Sequence, residues 1–229
     1  MAELGTILVT GGASGLGAAV VAAVRDGGGT PLVLDRSPVR GVDAEQVDLA
    51  DGRSTEEAVR RLADRAGGLD AVFTAAGMDR CGTLADVPGE EWDRVVLVNL
   101  LGTAAVVRAA LPYLQRSTVG GKVVTVASTL GIKAVGDATA YCASKFGVVG
   151  FTRALAAELR GSVGVTLLIP GGMSTAFFDD RDEQYKPPPD AKLNRPADVA
   201  AAVLFALRQP PGCEVKELVV ASSEEGSWP

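Results

Sequence analysis

The chain of 229 residues contains no histidine and only three cysteines. The absence of histidine excludes metal sites with imidazole ligands and catalysis by Ser-His or Cys-His pairs, and we predict no bound metal. Cys81, Cys142 and Cys213 are odd in number, lie far apart and form no CxxC motif. They are typical of reduced thiols rather than of a disulfide framework, which predicts a cytoplasmic protein.

Basic residues are also scarce: 22 Lys and Arg stand against 28 Asp and Glu, a net charge of −6. An acidic surface repels phosphate backbones and anionic lipids, so we expect neither a nucleic-acid nor a membrane partner. The longest uncharged run, residues 161–178, contains Pro170 and four glycines, which argues against a membrane span. The first residues lack the basic and apolar regions of a signal peptide.

Short apolar runs alternate with helical patterns along the whole chain. The predicted strands are residues 4–10, 31–35, 46–49, 69–75, 122–127, 163–169 and 217–221, and the predicted helices are residues 15–26, 54–65, 91–115, 141–160 and 196–208. Ser54 and Glu57 form a capping-box pattern in the second helix. Apolar strands separated by helices indicate an α/β fold, a Rossmann-like doubly wound parallel sheet of about seven strands with helices on both faces. No repeat or linker divides the chain, so we predict a single domain over residues 1–229.

Two connections depart from this pattern. Residues 37–45 are too short, and too broken by Pro38 and Gly41, for a helix between the second and third strands. Residues 174–195 contain three consecutive prolines and are the least regular part of the chain. We predict that this second stretch is a loop that covers the substrate.

The sequence TGGASGLG at residues 10–17 lies between the first strand and the first helix. A tight glycine turn lets the backbone approach a pyrophosphate, and the following helix offers free N–H groups and the positive end of its dipole. We therefore predict a dinucleotide site here, formed by Gly11, Ser14, Gly15, Leu16 and Gly17.

Acidic residues after the next two strands indicate how the dinucleotide is recognised. Asp35 ends the second strand, 24 residues beyond Gly11, where a carboxylate accepts the ribose hydroxyls of NAD and repels the 2′-phosphate of NADP. Arg36 instead favours NADP, since an arginine there accommodates that phosphate. We favour NAD over NADP. Asp48, followed by Leu49, either reaches the adenine amino group or is an ordinary loop residue.

Tyr141 and Lys145 lie four residues apart at the start of a long predicted helix, so their side chains share one face. Ser128 ends the fifth strand, at the carboxyl edge of the sheet, where open α/β folds bind ligands. Tyr-x-x-x-Lys alone is a common surface pattern, but its combination with Ser128 predicts a catalytic site.

Together, TGGASGLG, Ser128, YCASK at 141–145 and PGGMST at 170–175 resemble the short-chain dehydrogenase/reductase family, in the correct order over nearly the whole chain. The glycine spacing is similar to that of its compact, single-domain branch. TAAG at 74–77 resembles the family's Asn-Ala-Gly strand end, with threonine in place of asparagine, and VNLLG at 98–102 supplies the family's catalytic asparagine. The resemblance implies further contacts to a nicotinamide dinucleotide from Ala75, Ala76, Gly77, Asn99, Tyr141, Lys145, Pro170, Gly171, Met173 and Thr175.

The resemblance also implies a mechanism, in which Tyr141 is the general acid/base on the substrate oxygen. The pKa of a free tyrosine is near 10, and Lys145 together with the positive charge of oxidised nicotinamide would lower it. Lys145 would also bind the nicotinamide ribose, Ser128 would hydrogen-bond the substrate oxygen, and Asn99 would hold a water in a proton relay.

The implied activity is NAD(H)-dependent interconversion of a secondary alcohol and a ketone. Two alternatives stay open: an NADPH-dependent ketoreductase in a biosynthetic pathway, and a protein that binds the dinucleotide without turnover. The residues that we expect around the substrate are largely apolar, which indicates a small apolar alcohol or ketone: Met78, Cys81, Thr129, Leu130, Phe177, Phe178 and Tyr185.

The long helices carry more apolar residues than one sheet requires: Val106, Val107, Phe146, Val149 and Phe151. In the family these helices pack against their copies, so the resemblance implies a homo-oligomer, a tetramer or alternatively a dimer.

Overall fold

A computed structural model describes residues 3–228 and places seven parallel strands in one sheet, in the order β3-β2-β1-β4-β5-β6-β7. The order reverses between β1 and β4, which opens a crevice at the carboxyl ends of the strands, where ligands bind in such folds. The predicted Rossmann-like α/β architecture is confirmed. The strands are β1 (Thr6–Thr10), β2 (Thr30–Asp35), β3 (Asp43–Gln46), β4 (Ala71–Thr74), β5 (Lys122–Val126), β6 (Gly164–Pro170) and β7 (Glu217–Val220).

Helices cover both faces of the sheet. One face carries α1 and α6, and the other carries α2, α4 and α5, whereas the short α3 and a π-helical turn lead into α4. Side chains alternate between the two cores along each strand: Leu8 faces one, and Ile7 and Val9 face the other. The bounds are α1 (Gly15–Asp26), α2 (Gly52–Ala66), α3 (Gly89–Val96), the π turn (Leu97–Gly102), α4 (Thr103–Leu114), α5 (Thr139–Glu158) and α6 (Pro196–Leu207).

The third strand was predicted at residues 46–49, but β3 lies at Asp43–Gln46. The predicted position was therefore wrong. The sequence of β3, DAEQ, is polar and forms the edge of the sheet. It is held by its ladder with β2 and by ion pairs from α2, in which Arg65 lies 2.7 Å from Asp43 and Arg61 lies 2.9 Å from Glu45. An apolar pattern does not reveal a strand that is stabilised in this way. The connection before it contains no helix, as predicted.

The capping box predicted for α2 is also wrong. Asp51 is the N-cap, and its carboxylate accepts hydrogen bonds from the backbone N–H groups of Arg53 and Ser54, each at 3.1 Å. The Ser54 hydroxyl donates to the same carboxylate at 2.7 Å instead of pairing with Glu57. Aspartate and serine cap helices about equally well, so the sequence offers two possible starts.

The single helix predicted at 91–115 begins two residues earlier and is interrupted by the π turn. A π turn adds a residue to one helical turn, which apolar periodicity does not resolve. Within the described part of the chain, this stretch alone is long and apolar enough to cross a membrane, with a mean hydropathy of 1.8 over its most apolar window. That window is 56% buried inside the protein, as expected of a helix in the core.

The apolar residues that the sequence assigned to an oligomer face divide into two groups. Val106, Val107 and Val149 are buried within the chain itself, so their assignment was wrong. They pack against the sheet, and their burial needs no second copy. Phe151 is partly buried against the same core, whereas Phe146 is exposed.

Candidate active site

The predicted site residues meet at one edge of the sheet, because the carboxyl ends of parallel strands share an edge. The glycine-rich turn follows β1, residues 75–77 follow β4, and Ser128 follows β5. Helix α5 packs against β5 and β6 and carries Tyr141 and Lys145 to the same edge. This edge includes the crevice between β1 and β4.

The glycine-rich turn is compact enough to exclude side chains. Gly11 and Gly15 have φ angles of +71° and +54°, which favour glycine. A Cβ atom at Gly17 would lie 2.1 Å from the Gly11 carbonyl oxygen. Ser14 is the N-cap of α1, and the first-turn N–H groups of α1 have no partner within the helix. The turn therefore fits a pyrophosphate.

The Asp35 carboxylate is buried beside this turn. One of its oxygens accepts a hydrogen bond from the Ala13 N–H at 2.9 Å, and the other accepts from the Ser37 N–H at 2.8 Å. Asp35 thus ties the glycine turn to the end of β2, and each oxygen keeps a lone pair for a ribose hydroxyl. Arg36 is exposed next to it.

Asp48 forms an ion pair that the sequence did not indicate. Its carboxylate lies 2.5 Å from the Arg94 guanidinium and accepts from the Ala50 N–H at 3.0 Å. Partial burial raises the pKa of Asp48, but these hydrogen bonds outweigh it and lower the pKa below its usual value. Leu49 is buried beneath it, against Gly102 of the π turn.

The turn after β4 contacts the end of β1 on one side, and Asn99 and Lys145 on the other. The Ala76 N–H donates to the Thr10 hydroxyl at 3.0 Å, which joins this turn to the end of β1. A Cβ atom at Gly77 would lie 3.3 Å from Asn99 Oδ1 and 3.6 Å from Lys145 Nζ. Glycine here brings the backbone close to two predicted catalytic residues. The buried hydroxyl of Thr74 has no hydrogen-bond partner among the residues described.

Asn99 lies in the π turn, an irregularity that is frequent at functional sites. Its side chain accepts from the Met78 N–H at 2.8 Å and donates to the Met78 carbonyl at 2.8 Å and to the Ser144 hydroxyl at 3.0 Å. Its own carbonyl accepts from the Thr103 hydroxyl at 2.8 Å. Asn99 therefore joins three parts of the site: the turn after β4, α4 and α5.

Ser128, Tyr141 and Lys145 form a cluster. Burial raises the pKa of Tyr141 to about 12, against the lowering effect of a hydrogen bond with Ser128. Lys145 is 5% exposed, and its Nζ donates to the Val126 carbonyl at 2.9 Å and lies 5.6 Å from the centre of the Tyr141 ring. Burial lowers the pKa of Lys145 to about 8. A tyrosine with a pKa raised in this way is a neutral phenol at pH 7.

The turn after β6 reaches back to the glycine-rich turn. A Cβ atom at Gly15 would lie 3.5 Å from Thr175 Cγ2, and Met173 forms an isolated β-bridge with Asn194. The Gly171 N–H donates to the Val220 carbonyl of β7 at 2.9 Å, directly after Pro170 at the end of β6. The predicted nicotinamide loop and the predicted phosphate turn are therefore neighbours.

Residues near the carboxyl terminus also border the site. The sequence analysis did not predict their position there. The Gly172 N–H donates to the Glu225 carboxylate at 2.8 Å, and the hydroxyl groups of Thr129 and Ser227 are 2.6 Å apart. Burial raises the pKa of Glu225, but its hydrogen bonds from Ser227 and Gly172 outweigh it and lower the pKa. No motif in the sequence connects these residues, because folding alone brings them together.

Residues 174–195, which we name the covering segment after the prediction that they cover the substrate, contact the predicted catalytic cluster through Phe177. The Phe177 ring packs against the Tyr141 ring with their centres 5.9 Å apart. Arg181 pairs with Asp79 at 2.8 Å. The sequence indicated an apolar pocket here, so this charged pair, too, was missed.

Comparisons with known proteins show what this chain is similar to. The sequence model of the family described as short chain dehydrogenase matches residues 5–186. An uncharacterized oxidoreductase of Staphylococcus aureus is 31% identical over 225 residues, which cover 93% of this chain and 95% of that protein. The L-fucose dehydrogenase of Mus musculus is 30% identical over 241 residues, which cover 96% of this chain and 88% of that protein.

Two solved structures share the fold. The ligand-free aldohexose dehydrogenase of Thermoplasma acidophilum superimposes with a TM-score of 0.84 at 22% identity, over 96% of this chain and 94% of that one. An alcohol dehydrogenase from Thermococcus sibiricus, complexed with 5-hydroxy-NADP, gives a TM-score of 0.83 at 24% identity, over 94% of this chain and 95% of that one.

Proposed function

The chain belongs to the short-chain dehydrogenase family, and from this premise we propose that it interconverts a secondary alcohol and a ketone with NAD(H), with Tyr141 as the general acid/base. The observation that carries the proposal is the cluster of Ser128, Tyr141 and Lys145 at the carboxyl edge of the sheet, beside a glycine turn that fits a pyrophosphate.

Each residue of the cluster has a role in this reaction. The Ser128 hydroxyl holds the substrate oxygen, and Tyr141 removes its proton during oxidation or supplies one during reduction. When bound, oxidised nicotinamide supplies the hydride acceptor. Burial raises the pKa of Tyr141. The positive charges of oxidised nicotinamide and of Lys145 favour the phenolate and so lower this pKa. Asn99 joins the turn after β4 to α5 around these groups, and holding a relay water is its proposed further role.

NAD is the proposed cofactor because the buried Asp35 carboxylate lies beside the glycine turn, where it accepts ribose hydroxyls and repels a 2′-phosphate. NADP is the alternative, since Arg36 is exposed at the same place and a structural relative is complexed with 5-hydroxy-NADP. With NADPH, the same cluster would act as a ketoreductase.

A polar alcohol such as a sugar is a second candidate for the substrate, beside the small apolar alcohol. Two relatives are named for sugar oxidation, L-fucose dehydrogenase and aldohexose dehydrogenase, and the Asp79–Arg181 pair adds polar atoms near Tyr141. Oxidation of a sugar's anomeric hydroxyl to a lactone uses the same proton and hydride transfers. An activity screen therefore includes aldoses beside aliphatic secondary alcohols.

The experiment combines binding and turnover in the wild type and in Tyr141→Phe. NAD should raise the melting temperature of both proteins, and NADP should raise it less, because a ligand that binds only the folded state stabilises it. The wild type should oxidise an alcohol or an aldose, and the variant should do so about 10²-fold or more slowly.

Three results would contradict the proposal, and each would contradict a different part of it. An unchanged rate in Tyr141→Phe would remove the acid/base role. A larger shift with NADP would reverse the cofactor assignment and favour the ketoreductase. A strong NAD shift without turnover of any alcohol, ketone or sugar would favour a protein that only binds the dinucleotide.

We further propose a cytoplasmic homotetramer. The three cysteines form no disulfide, in keeping with reduced thiols. Two separate surfaces expose large apolar side chains: Leu97, Leu101 and Phe146 on the π turn and α5, and Phe205 and Val219 on α6 and β7. Two self-complementary surfaces on one chain generate a tetramer, and one generates a dimer.

A further inference from the structure

The covering segment is joined to the turn after β4 by one buried ion pair. Arg181 Nη2 donates to Asp79 Oδ2 at 2.8 Å, with the side chains 18% and 5% exposed. The Asp79 carboxylate also accepts from the Arg80 N–H and from the Cys81 thiol. A pair that is buried to this extent costs desolvation, so breaking one partner leaves an uncompensated charge.

Arg181 also organises the aromatic residues over Tyr141. Its guanidinium carbon lies 5.2 Å from the centre of the Phe177 ring and 4.7 Å from that of Phe178, and its Nη1 donates to the Tyr185 carbonyl at 3.3 Å. Phe177 in turn contacts the Tyr141 ring. A single cation therefore fixes the part of the covering segment that touches the catalytic tyrosine.

The pair lies close enough to Tyr141 for its charges to matter there. The carboxylate of Asp79 raises the pKa of Tyr141, and the guanidinium of Arg181 lowers it. Lys145 and Cys142 on α5 and Ser128 after β5 are the other groups that face this phenol. While the pair is intact, the charge of Arg181 therefore opposes that of Asp79 at the phenol.

We propose that Arg181 is a positioning residue of the active site, which pairs with Asp79 to hold Phe177 against Tyr141 and to cancel the negative charge that Asp79 would otherwise present to the phenolate. The inference rests on the proposed role of Tyr141. It assigns to the covering segment an electrostatic as well as a steric function.

The test compares Arg181→Met, Asp79→Asn and the double variant in alcohol oxidation. The rate of oxidation rises with pH as Tyr141 loses its proton. Arg181→Met leaves a lone carboxylate, so the midpoint of this rise should move to higher pH, by about half a unit or more. Asp79→Asn leaves a lone cation and should move the midpoint to lower pH. The double variant should return it to the wild-type value.

A merely structural role predicts a different pattern, in which all three variants are slower and keep the wild-type midpoint. That result would overturn the electrostatic part of the proposal. Arg60→Met is the matched control, because it removes an exposed arginine that pairs with Glu56 far from the site. It should change neither the rate nor the midpoint.

Two readouts do not require turnover. Chymotrypsin should cleave the covering segment of the NAD-free protein several-fold faster in Arg181→Met and in Asp79→Asn, because cleavage reports the population of the open segment. Ultraviolet absorbance of tyrosinate, taken as the difference from the matching Tyr141→Phe protein, should show the same opposite shifts of the Tyr141 titration. Equal cleavage together with equal titrations would overturn the inference.

The failure of the proposed function is distinguishable from the failure of this inference. If the wild type oxidises no alcohol or sugar, the dehydrogenase assignment fails, whereas opposite shifts in the tyrosinate titration still support the pairing. If the wild type is active but the variants keep its midpoint and its cleavage rate, the inference fails and the dehydrogenase stands.

Discussion

Burial of Lys145, the proposed catalytic lysine, is unfavourable for its charged form. Lys145 is 5% exposed, and its Nζ donates to the Val126 carbonyl; no carboxylate pairs with it among the described residues. Because a buried cation loses its hydration, burial lowers the pKa of Lys145 from 10.5 to about 8. The folded state therefore releases this proton at a lower pH than the unfolded chain does.

We predict that Lys145→Met stabilises the cofactor-free protein at pH 7 while abolishing activity. Between about pH 8 and pH 10 the unfolded chain binds more protons at this position, so the free energy of unfolding of the wild type should rise with pH. Methionine removes the charge, so this rise should vanish, and at pH 7 the gain should be about 1–3 kcal/mol.

Urea unfolding across this pH range measures both effects, and Lys192→Met is the control because it removes an exposed ammonium. A variant less stable than the wild type at pH 7, with an unchanged slope, would show that the buried ammonium is compensated in the folded protein.

Sequence motifs predicted the residues of the site that lie close together along the chain. The glycine turn, Asp35 and the Tyr141–Lys145 pair are each defined by local spacing, and the structure places them at one edge of the sheet. Asp79 and Arg181 lie 102 residues apart in loops without a repeating pattern. Only the folded chain brings them together, so no local signal identified their pairing.

At the scale of elements, the glycine-rich turn shows how packing fixes a sequence. α1 begins where the chain leaves β1, and Gly17 in its first turn lies against the Gly11 carbonyl. A side chain at this position would meet backbone atoms, which do not rotate away as a flexible side chain does.

We predict that Gly17→Ala destabilises the protein by about 2 kcal/mol or more and removes most of the melting-temperature shift caused by NAD. The added Cβ would lie 2.1 Å from the Gly11 carbonyl oxygen, so α1 must move away from the turn that we propose holds the phosphates. Urea unfolding and a thermal-shift titration with NAD measure the two effects.

Gly89→Ala is the matched control, because Gly89 also lies in the first turn of a helix and a Cβ there would meet no atom within 4 Å. It should leave NAD binding unchanged. If Gly17→Ala keeps both its stability and its NAD shift, the turn is less constrained than the contact implies.

Apolar runs predicted the central strands to within a few residues, because these strands are buried on both faces. The same signal failed for β3, whose stability comes from a ladder and from the arginines of α2. It also failed to reveal the π turn, in which Asn99 hydrogen-bonds to Met78 and Ser144. Edge strands and helix irregularities depend on neighbours that a local pattern does not contain.

At the scale of the whole molecule, the parallel sheet concentrates chemistry at one edge and leaves other surfaces for assembly. The sequence assigned Val106, Val107 and Val149 to an oligomer face, but the sheet buries them. Leu101 and Phe205, at 52% and 57% exposed, are instead two of the large apolar side chains that solvent reaches, one on each of the two surfaces proposed for assembly. Exposed apolar surface of this kind marks interaction sites.

We predict that the wild type sediments as four chains, and that Leu101→Glu and Phe205→Glu each reduce the mass to two chains. A buried glutamate at the centre of a symmetric interface places two like charges in contact, which opposes association. The double variant should sediment as one chain. Leu84→Glu, at an exposed leucine outside both surfaces, should leave the mass unchanged.

The alternative assemblies give different patterns in the same sedimentation series. A dimeric wild type that only one of the two variants dissociates would assign assembly to that surface alone. A monomeric wild type would contradict the proposed oligomer, and the exposed leucine and phenylalanine would then need another partner. Because neither substitution falls on Ser128, Tyr141 or Lys145, activity measured on each species also shows whether one chain completes its site without its copies.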